Sequence, residues 1–300
     1  MLADRQLLLK LITIVPIGAA FFGFVAGFFF HWNIFSHANK PLAYKPPVAE
    51  PSAKPSPVLE NTPKPLPESY KGKVFMNVAL APSQKVVALT FDDGPLGGPS
   101  EKILKILKDN NIKATFFLIG RNAQANPGLV KKIYADGHVI GNHSWSHPYN
   151  RHTRAGAQAE IEKTSDIIAS ITGVRPNLFR PPGGLMHTGL AEYAKSQKMG
   201  IVLWSADSVD YRTRNSPARL IRNIFKSVKP GGIILMHDGG IRRANTSEAL
   251  PMVIKRLRQE SYKFVTLPAL IAMDSKLPKK YIAHINKSVD KPKMVTAKTF

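Results

Sequence analysis

The sequence lacks cysteine and is poor in acidic residues. With no cysteine among its 300 residues, the chain cannot form a disulfide framework, a thiolate metal site or a cysteine nucleophile. Only 20 aspartates and glutamates stand against 42 lysines and arginines, which gives a formal net charge of +22. A surface of this sign favours polyanions such as nucleic acid, acidic lipid or an anionic cell-wall polymer. No nucleic-acid recognition motif accompanies the charge, so we expect no nucleic-acid partner.

Charged residues are absent from residues 11–30. Twenty helical residues span about 30 Å, which is the thickness of the hydrocarbon core of a bilayer. The run is longer than the apolar region of a typical signal peptide, and no clean small-residue cleavage site follows it. An uncleaved anchor is therefore favoured over a cleaved signal peptide or a buried soluble helix. We expect residues 1–35 to form a single-pass anchor in the cytoplasmic membrane, with the rest of the chain outside the cytoplasm.

Proline is concentrated in residues 41–67, which contain nine of the 24 prolines. This composition predicts a semi-rigid, extended spacer without a core of its own, and we assign residues 36–73 to a linker. Residues 274–300 are rich in lysine and show no periodic pattern, which predicts a disordered basic tail. The predicted folded domain therefore covers residues 74–273.

Short apolar runs alternate with helical patterns in that domain. The predicted strands cover residues 85–91, 114–120, 137–143, 200–206 and 231–237, and a last helix and strand lie within residues 246–267. The predicted helices cover about residues 101–109, 127–136, 157–172, 189–198 and 217–228, the last of them capped by Ser216 and Pro217. This alternation predicts a parallel α/β fold, either a sheet or a barrel. In such folds ligands bind at the carboxyl ends of the strands.

Polar residues stand at several of these strand ends. Asp92 and Asp93 follow the first predicted strand, where two adjacent carboxylates are unusual and each needs water or a partner. His143 and His147 are four residues apart, which in a helical turn would place both imidazoles on one face, a common arrangement for a divalent metal. Such a pair alone is more often coincidence, but the aspartates offer a third ligand. The alternative for the aspartates is a simple Asp-Gly-Pro turn.

Five segments together resemble the motifs of the polysaccharide deacetylases, also called the NodB-homology group or carbohydrate esterase family 4. They are "TFDDGP" (90–95), "HSWSH" (143–147), "RPPGG" (180–184), "DSVDY" (207–211) and "LMHD" (235–238). The five stand in the family's order, each after a plausible strand, and the resemblance covers about residues 75–270. It implies a distorted (β/α) barrel of the NodB-homology type, preceded here by the transmembrane helix.

The resemblance implies a metal site and a catalytic base. Asp93, His143 and His147 resemble the metal ligands, and this set leaves a position open for water. Zinc is the default metal for such ligands, although cobalt or nickel would also fit. Asp92 resembles the general base, held by Arg180 through two hydrogen bonds. The alternative for Arg180 is a structural ion pair.

The remaining motifs imply a catalytic acid and a substrate pocket. His237 resembles the general acid, kept protonated by Asp210, although it could instead be a packed core histidine. Leu235 and Tyr211 would line a pocket for the acetyl methyl group, and the backbone N–H of Gly183 would bind the oxyanion. The family more often has tyrosine at the position of Gly183 and tryptophan at that of Tyr211. Loop rigidity, a sugar contact and the acetyl pocket are therefore expected to differ.

The predicted function is the metal-dependent removal of N-acetyl groups from N-acetylglucosamine-type residues of a polysaccharide, either peptidoglycan or a chitin-like glycan. One alternative is an O-acetyl esterase acting on a polysaccharide such as xylan. Another is a cell-wall-binding module that keeps the fold without the chemistry. Asp207 is open between positioning the site and capping a turn, and the sequence does not determine the oligomeric state.

Overall fold

The computed structural model describes residues 65–81, 83–212, 215–240 and 244–278. The predicted membrane anchor at residues 11–30, most of the predicted linker and most of the predicted basic tail lie outside these ranges. No helix within the described ranges is long and apolar enough to cross a bilayer. The described residues therefore correspond to the predicted folded domain with short extensions at both ends.

The described residues form a parallel sheet of nine strands. The strands are β1 Val74–Phe75, β2 Val86–Asp92, β3 Thr115–Leu118, β4 Val139–Asn142, β5 Leu178–Phe179, β6 Gly200–Val202, β7 Ala206–Asp207, β8 Gly232–His237 and β9 Lys263–Phe264. Their order is β1-β6-β5-β4-β3-β2-β8-β7, and β9 pairs with the start of β2. The predicted parallel α/β architecture is confirmed. Because β1 and β7 end this path, the described strands form an open sheet, not a closed barrel.

Helices connect most of the strands. They are α1 Pro99–Asp109, α2 Gly120–Ala125, α3 Pro127–Ala135, α4 Arg154–Thr172, α5 Leu190–Ser196, α6 Pro217–Ser227, α7 Ala244–Gln259 and α8 Leu267–Ala272. The predicted start of α6 is confirmed, since the Ser216 hydroxyl accepts a hydrogen bond from the Arg219 N–H and Pro217 follows as the first helical residue. Helices α1 to α7 lie between successive strands of the sheet, and α8 follows the last strand, β9.

Strand β2 lies in the interior of the sheet between β3 and β8, and all seven of its residues are buried. Alternate side chains point to opposite faces of a strand. Val87, Leu89 and Phe91 pack in the larger hydrophobic cluster, together with residues of α1, α3 and α7. Val86 and Ala88 pack in a second cluster on the other face. The same alternation brings Thr90 and then Asp92 to this second face.

The packed region extends beyond both predicted domain boundaries. Leu66 and Tyr70, which fall in the predicted linker, are buried in the second cluster. Asp274 and Leu277, which fall in the predicted tail, are also buried, and the Tyr70 hydroxyl donates to Asp274 Oδ2 at 2.6 Å. The linker and tail assignments therefore need correction at these residues, because apolar side chains on both sides of the domain complete its core.

Candidate active site

A cavity of about 500 Å³ lies at the carboxyl ends of the strands. Its lining consists of Asp92, Asp93, His143, His147, Tyr149, Gly183, Trp204, Tyr211, Leu235 and His237. The structure thus brings together every residue predicted for the site except Arg180 and Asp210, and those two are buried behind it. Strand register contributes directly, since Asp92 of β2 pairs with His237 of β8.

The two adjacent aspartates face the same cavity because the backbone turns between them. Asp92 is the last residue of β2 and is only 2% exposed. Strand alternation would send Asp93 to the opposite face. Instead Asp93 has a φ of 73°, in the left-handed region that non-glycine residues seldom adopt. Both carboxylates consequently reach the cavity and both approach His143 Nε2, Asp92 at 3.7 Å and Asp93 at 3.4 Å.

Asp93, His143 and His147 offer a set of converging ligand atoms. Asp93 Oδ1 lies 3.4 Å from His143 Nε2 and 3.3 Å from His147 Nε2, and one ligand atom from each residue lies within 4.8 Å of the others. In a tetrahedral site with bonds of about 2.0–2.1 Å, ligand atoms stand about 3.3–3.4 Å apart. The two distances from Asp93 therefore fit a small divalent cation of the zinc type.

The protonation of this cluster also suits a cation. His143 Nδ1 lies 2.7 Å from the Arg180 carbonyl oxygen, which can only accept, so Nδ1 donates this hydrogen bond and the ring presents Nε2 to the cluster. Burial lowers the pKa of His147 to about 4, which leaves its imidazole neutral at pH 7. Burial alone would raise the pKa of Asp93, but the hydrogen bond to His143 and the neighbouring histidines outweigh it and hold the pKa well below its usual range.

The loop that carries the two histidines is irregular and does not form a helical turn. Strand β4 ends at Asn142, and both Ser144 and His147 have positive φ values, 65° and 58°. The Glu160 carboxylate of α4 holds the loop by accepting hydrogen bonds from the backbone N–H groups of Trp145 and Ser146. The imidazoles converge through this turn, whose left-handed residues a helix could not contain.

Arg180 is fully buried beside Asp92. Its Nη1 donates to Asp92 Oδ1 at 2.7 Å and to Thr90 Oγ1 at 2.9 Å, while Nε and Nη2 donate to the carbonyl oxygens of Val202 and Leu203. Burial lowers the pKa of Arg180, and the charge of Asp92 opposes that effect. The guanidinium therefore orients the carboxylate through one hydrogen bond instead of the expected two, because the other Nη1 proton goes to Thr90.

His237 and Asp210 form a buried pair on the other side of the cavity. His237 Nδ1 lies 2.6 Å from Asp210 Oδ1, and Asp210 Oδ2 accepts from the His237 backbone N–H and from the Thr246 hydroxyl. Burial alone would lower the pKa of His237, but the charge and hydrogen bond of Asp210 outweigh it and raise the pKa to about 9, with Asp92 and Asp93 adding to the effect. At neutral pH the His237 imidazole is therefore protonated, and Asp210 stabilises its positive charge.

The predicted substrate residues line the cavity mouth. Leu235 is buried, whereas Tyr211 is 45% exposed and its ring meets the His237 ring edge-on at 5.7 Å. Gly183 has a φ of 58° within a short 3₁₀ turn. Asp207 shapes the neighbouring loop, since its Oδ1 accepts the Val209 N–H at 2.7 Å. Its Oδ2 also accepts from the Tyr211 hydroxyl at 3.5 Å, so Asp207 both caps the turn and contacts a residue of the cavity.

Four further residues belong to this site and were not predicted from the sequence. Trp204 and Tyr149 line the cavity, Thr90 contacts Arg180, and Thr246 contacts Asp210. A signal existed for the two aromatic residues, because Trp204 lay within a predicted strand that ends at the site and Tyr149 follows the histidine motif by two positions. No such signal existed for Thr246, because its partner Asp210 is 36 residues away in sequence.

Comparisons with known proteins agree with this geometry. A family model described as polysaccharide deacetylase matches residues 79–202. The chain is 40% identical over 187 residues to a peptidoglycan-N-acetylglucosamine deacetylase of Bacillus cereus, with 61% of this chain and 67% of that protein covered. It is 39% identical over 191 residues to the peptidoglycan-N-acetylmuramic acid deacetylase PdaC of Bacillus subtilis, with 63% of this chain and 39% of that protein covered. The chain thus spans well under half the length of the second relative.

A solved structure similar to this one comes from a protein without activity. It is a carbohydrate esterase family 4 pseudoenzyme from Bacillus anthracis, with a TM-score of 0.62, 29% identity and coverage of 69% of this chain and 71% of that one. A mutant of that protein is described as having restored enzymatic activity. Similarity to this pseudoenzyme shows the fold and does not by itself show activity.

Proposed function

The chain belongs to the polysaccharide deacetylase family, and on that premise we propose that it is a metal-dependent hydrolase acting on N-acetylglucosamine-type residues of a polysaccharide. Peptidoglycan is favoured over a chitin-like glycan. The observation that carries the proposal is the convergence of Asp93, His143 and His147 on one point beside Asp92, with protonated His237 across the same cavity.

Asp93, His143 and His147 would hold one divalent cation, with zinc as the first candidate and cobalt or nickel as alternatives. When bound, the cation would act as a Lewis acid that polarises the acetyl carbonyl and lowers the pKa of a water molecule. Hydrogen bonds from His143 to the Arg180 carbonyl and from the loop to Glu160 hold the ligands in place.

The other residues move protons and stabilise charge. Asp92, fixed by Arg180, accepts the proton of the attacking water. The Gly183 N–H donates to the negative charge that develops on the carbonyl oxygen. His237, held protonated by Asp210, delivers a proton to the departing nitrogen. The products are acetate and a free amine on the sugar.

The strength of the His237–Asp210 pair supports an N-acetyl substrate over an O-acetyl ester. An amine is a much poorer leaving group than an alcohol unless it receives a proton as the bond breaks, so amide hydrolysis depends more heavily on a general acid. A raised pKa of about 9 keeps this acid charged at neutral pH. The O-acetyl esterase is therefore the second candidate.

The residues of the site and their contacts argue against a non-catalytic wall-binding module. All the residues proposed for metal binding and for acid–base chemistry are present, and each contacts the partner that its role requires. The similarity to a pseudoenzyme makes direct measurement necessary.

The test is acetate release by the full-length protein, stripped of metal and then reloaded. We expect no release after chelation, recovery with zinc or cobalt, and higher rates on peptidoglycan and N-acetylglucosamine oligomers than on acetylated xylan. Preference for xylan would favour the esterase. Full activity in protein shown by elemental analysis to be metal-free would contradict the metal site, and binding of peptidoglycan without acetate release would favour the binding module.

We also propose that residues 11–30 anchor the chain in the cytoplasmic membrane with the domain outside. The uncharged twenty-residue run and the nine prolines that follow support this. Protease added to intact spheroplasts should remove the domain. A mature protein that begins after residue 38 and is free in the medium would refute the anchor.

A further inference from the structure

Two exposed aromatic residues stand at the mouth of the cavity. Within the described ranges, the large hydrophobic side chains that remain exposed are Val74, Met76, Tyr149, Tyr211 and Met252. The two aromatic members, Tyr149 and Tyr211, both line the cavity. Tyr211 was expected there from its motif, whereas Tyr149 has no assigned role although it is the more exposed, at 62%. Exposed aromatic rings beside a cavity are typical of a binding surface.

Tyr149 lies beside the metal ligands and above Gly183. Its ring meets the His147 ring edge-on, with centroids 5.0 Å apart and an interplanar angle of 83°. A Cβ atom added to Gly183 would lie 3.0 Å from Tyr149 Cε1 and 3.5 Å from Cδ1. The ring therefore occupies the space that a side chain at position 183 would enter. Because Gly183 has no side chain, the Tyr149 ring can lie there.

We propose that Tyr149 is the platform on which a sugar ring of the glycan stacks, and that Gly183 is needed at its position to leave room for this platform. The inference rests on the proposed deacetylase function and adds a residue that determines how the glycan is held. The C–H faces of a pyranose ring are apolar, so an exposed aromatic ring can cover one of them, while the sugar hydroxyls remain free for hydrogen bonds. An acetyl group on such a sugar would lie within the cavity that Asp92 and His237 share.

The test compares a glycan with a small acetyl ester that has no sugar. For Tyr149→Ala, we expect kcat/KM on an N-acetylglucosamine hexamer to fall about tenfold or more relative to its value on p-nitrophenyl acetate. The metal content should stay near that of the wild type. Tyr149→Phe should stay within about twofold of the wild type on both substrates, because stacking does not require the hydroxyl. Met252→Ala changes another exposed side chain, which does not line the cavity, and serves as the control.

Two results would overturn the platform. If Tyr149→Ala loses metal and loses both activities in parallel, the ring only supports His147. If the hexamer and the ester are affected equally with metal retained, the ring does not contact the glycan. Should the wild type release no acetate at all, the deacetylase proposal fails. Hexamer binding by metal-loaded protein, measured calorimetrically, then tests the platform by itself, and equal affinity in wild type and Tyr149→Ala would refute it.

The role of Gly183 is tested by a double-mutant cycle. Gly183→Ala should lower kcat/KM on the hexamer sharply in the wild type but much less in the Tyr149→Ala background, because the displaced ring is then already absent. Any strain from the positive φ of residue 183 is common to both backgrounds and cancels in the comparison. Additive losses would show that Gly183 is required for a reason other than the ring.

Discussion

Asp92 and Asp93 illustrate how a single backbone angle separates the chemistry of two neighbouring residues. Asp92 stays in the strand and meets Arg180, whereas Asp93 turns at a φ of 73° and meets two imidazoles. A left-handed conformation costs a non-glycine residue roughly 1–2 kcal/mol. His147 carries the same cost, at a φ of 58°. Two of the three proposed ligands are thus held in strained conformations, which is common where geometry serves function.

The first prediction separates the two aspartates. Asp93→Asn should lower both metal content and turnover, because a neutral amide oxygen is a weaker ligand than a carboxylate. Asp92→Asn should keep about one metal per chain while turnover falls by roughly 10²–10⁴, the usual range for loss of a general base. Elemental analysis and acetate release on the same two samples provide the measurement.

Asp109→Asn is a suitable control, because Asp109 is an exposed carboxylate paired with Lys105 on α1. It should change neither metal content nor rate. If Asp92→Asn loses the metal and Asp93→Asn keeps it, the roles are reversed. If both variants keep their metal and near-normal rates, the pair is only a turn.

The second prediction concerns the proton on His237. Turnover should fall as pH rises through about 9, where His237 loses the proton that it delivers. Asp210→Asn removes the main charge that favours the imidazolium, so the fall should move to lower pH and the rate at pH 7.5 should drop roughly tenfold or more. A pH–rate profile of both proteins at saturating metal tests this. The bound cation repels the imidazolium, so in both profiles the fall should lie at a lower pH than it would without the metal.

The His237–Asp210 pair should also make the stability of the folded state depend on pH. Because the folded pKa of His237 lies above its ordinary value of 6.5, its contribution to stability is complete below pH 6.5 and disappears as pH rises through about 9. The denaturation midpoint of Asp210→Asn should lose this dependence. If the stability of Asp210→Asn falls at alkaline pH as it does in the wild type, Asp210 does not hold the proton on His237.

Site residues that lie in short motifs could be predicted from the sequence, whereas residues that act through packing could not. Asp92, His143 and His237 could be predicted because each stands at a strand end within a motif of recognisable chemistry. Glu160 and Thr246 hold these residues in place, but nothing in their local sequence shows it. Thr90 stands inside the first motif, but the motif does not show its contact with Arg180. Their partners depend on which elements the fold brings together.

At the scale of elements, strand register accounts for much of the site. The pairing of β2 with β8 sets Asp92 opposite His237, and both strands were predicted from their apolar runs. The strands β1 and β5 have two residues each, too few to show any period, and were not predicted. The spacing of the two histidines would fit a helical turn, but the positive φ values of Ser144 and His147 exclude that conformation.

The junction between β8 and α1 contains a buried carboxyl group directly behind the site. Asp238 is fully buried, its Oδ2 accepts a hydrogen bond from the Ser100 hydroxyl at 2.6 Å, and its N–H donates to the Asp92 carbonyl. Burial raises the pKa of Asp238 and the hydrogen bond from Ser100 opposes this, while the charges of Asp93 and Asp92 add to the rise, so that the pKa lies at about 7. Ionisation of this residue should therefore weaken the folded state.

The third prediction follows from that shift. Because the folded pKa of Asp238 lies above its ordinary value of 3.8, its favourable contribution is complete below pH 3.8 and is lost as pH rises to about 7. Asp238→Asn cannot ionise, so its stability relative to the wild type should rise by up to about 1.4 kcal/mol per pH unit over this range and then level off. Urea denaturation of metal-free protein at several pH values is the measurement, since a bound cation would favour the carboxylate.

Ser100→Ala provides the companion variant for this prediction. It removes a donor that stabilises the ionised form, so the loss of stability should continue to higher pH than in the wild type. A constant difference between Asp238→Asn and the wild type at every pH would contradict the shift.

At the scale of the whole molecule, the charge is not confined to the tail. Residues 74–273 contain 27 lysines and arginines against 14 aspartates and glutamates, a net charge of +13. Much of this charge is exposed, as with Arg219 and Arg222 on α6. A basic enzyme surface should concentrate an anionic substrate near the site by long-range attraction.

The fourth prediction is that salt affects anionic and neutral substrates differently. Raising the salt from about 0.05 M to about 0.5 M shortens the distance over which charges act from more than 10 Å to under 5 Å. For the full-length protein in detergent, kcat/KM on peptidoglycan that carries anionic polymers should fall about tenfold or more. The rate on a neutral N-acetylglucosamine hexamer should change little, and that substrate serves as the internal control for effects on folding or metal binding.

Replacing Arg219 and Arg222 with glutamate should flatten the salt dependence on the anionic substrate. Equal salt dependence on both substrates would show that the net charge has no part in substrate capture.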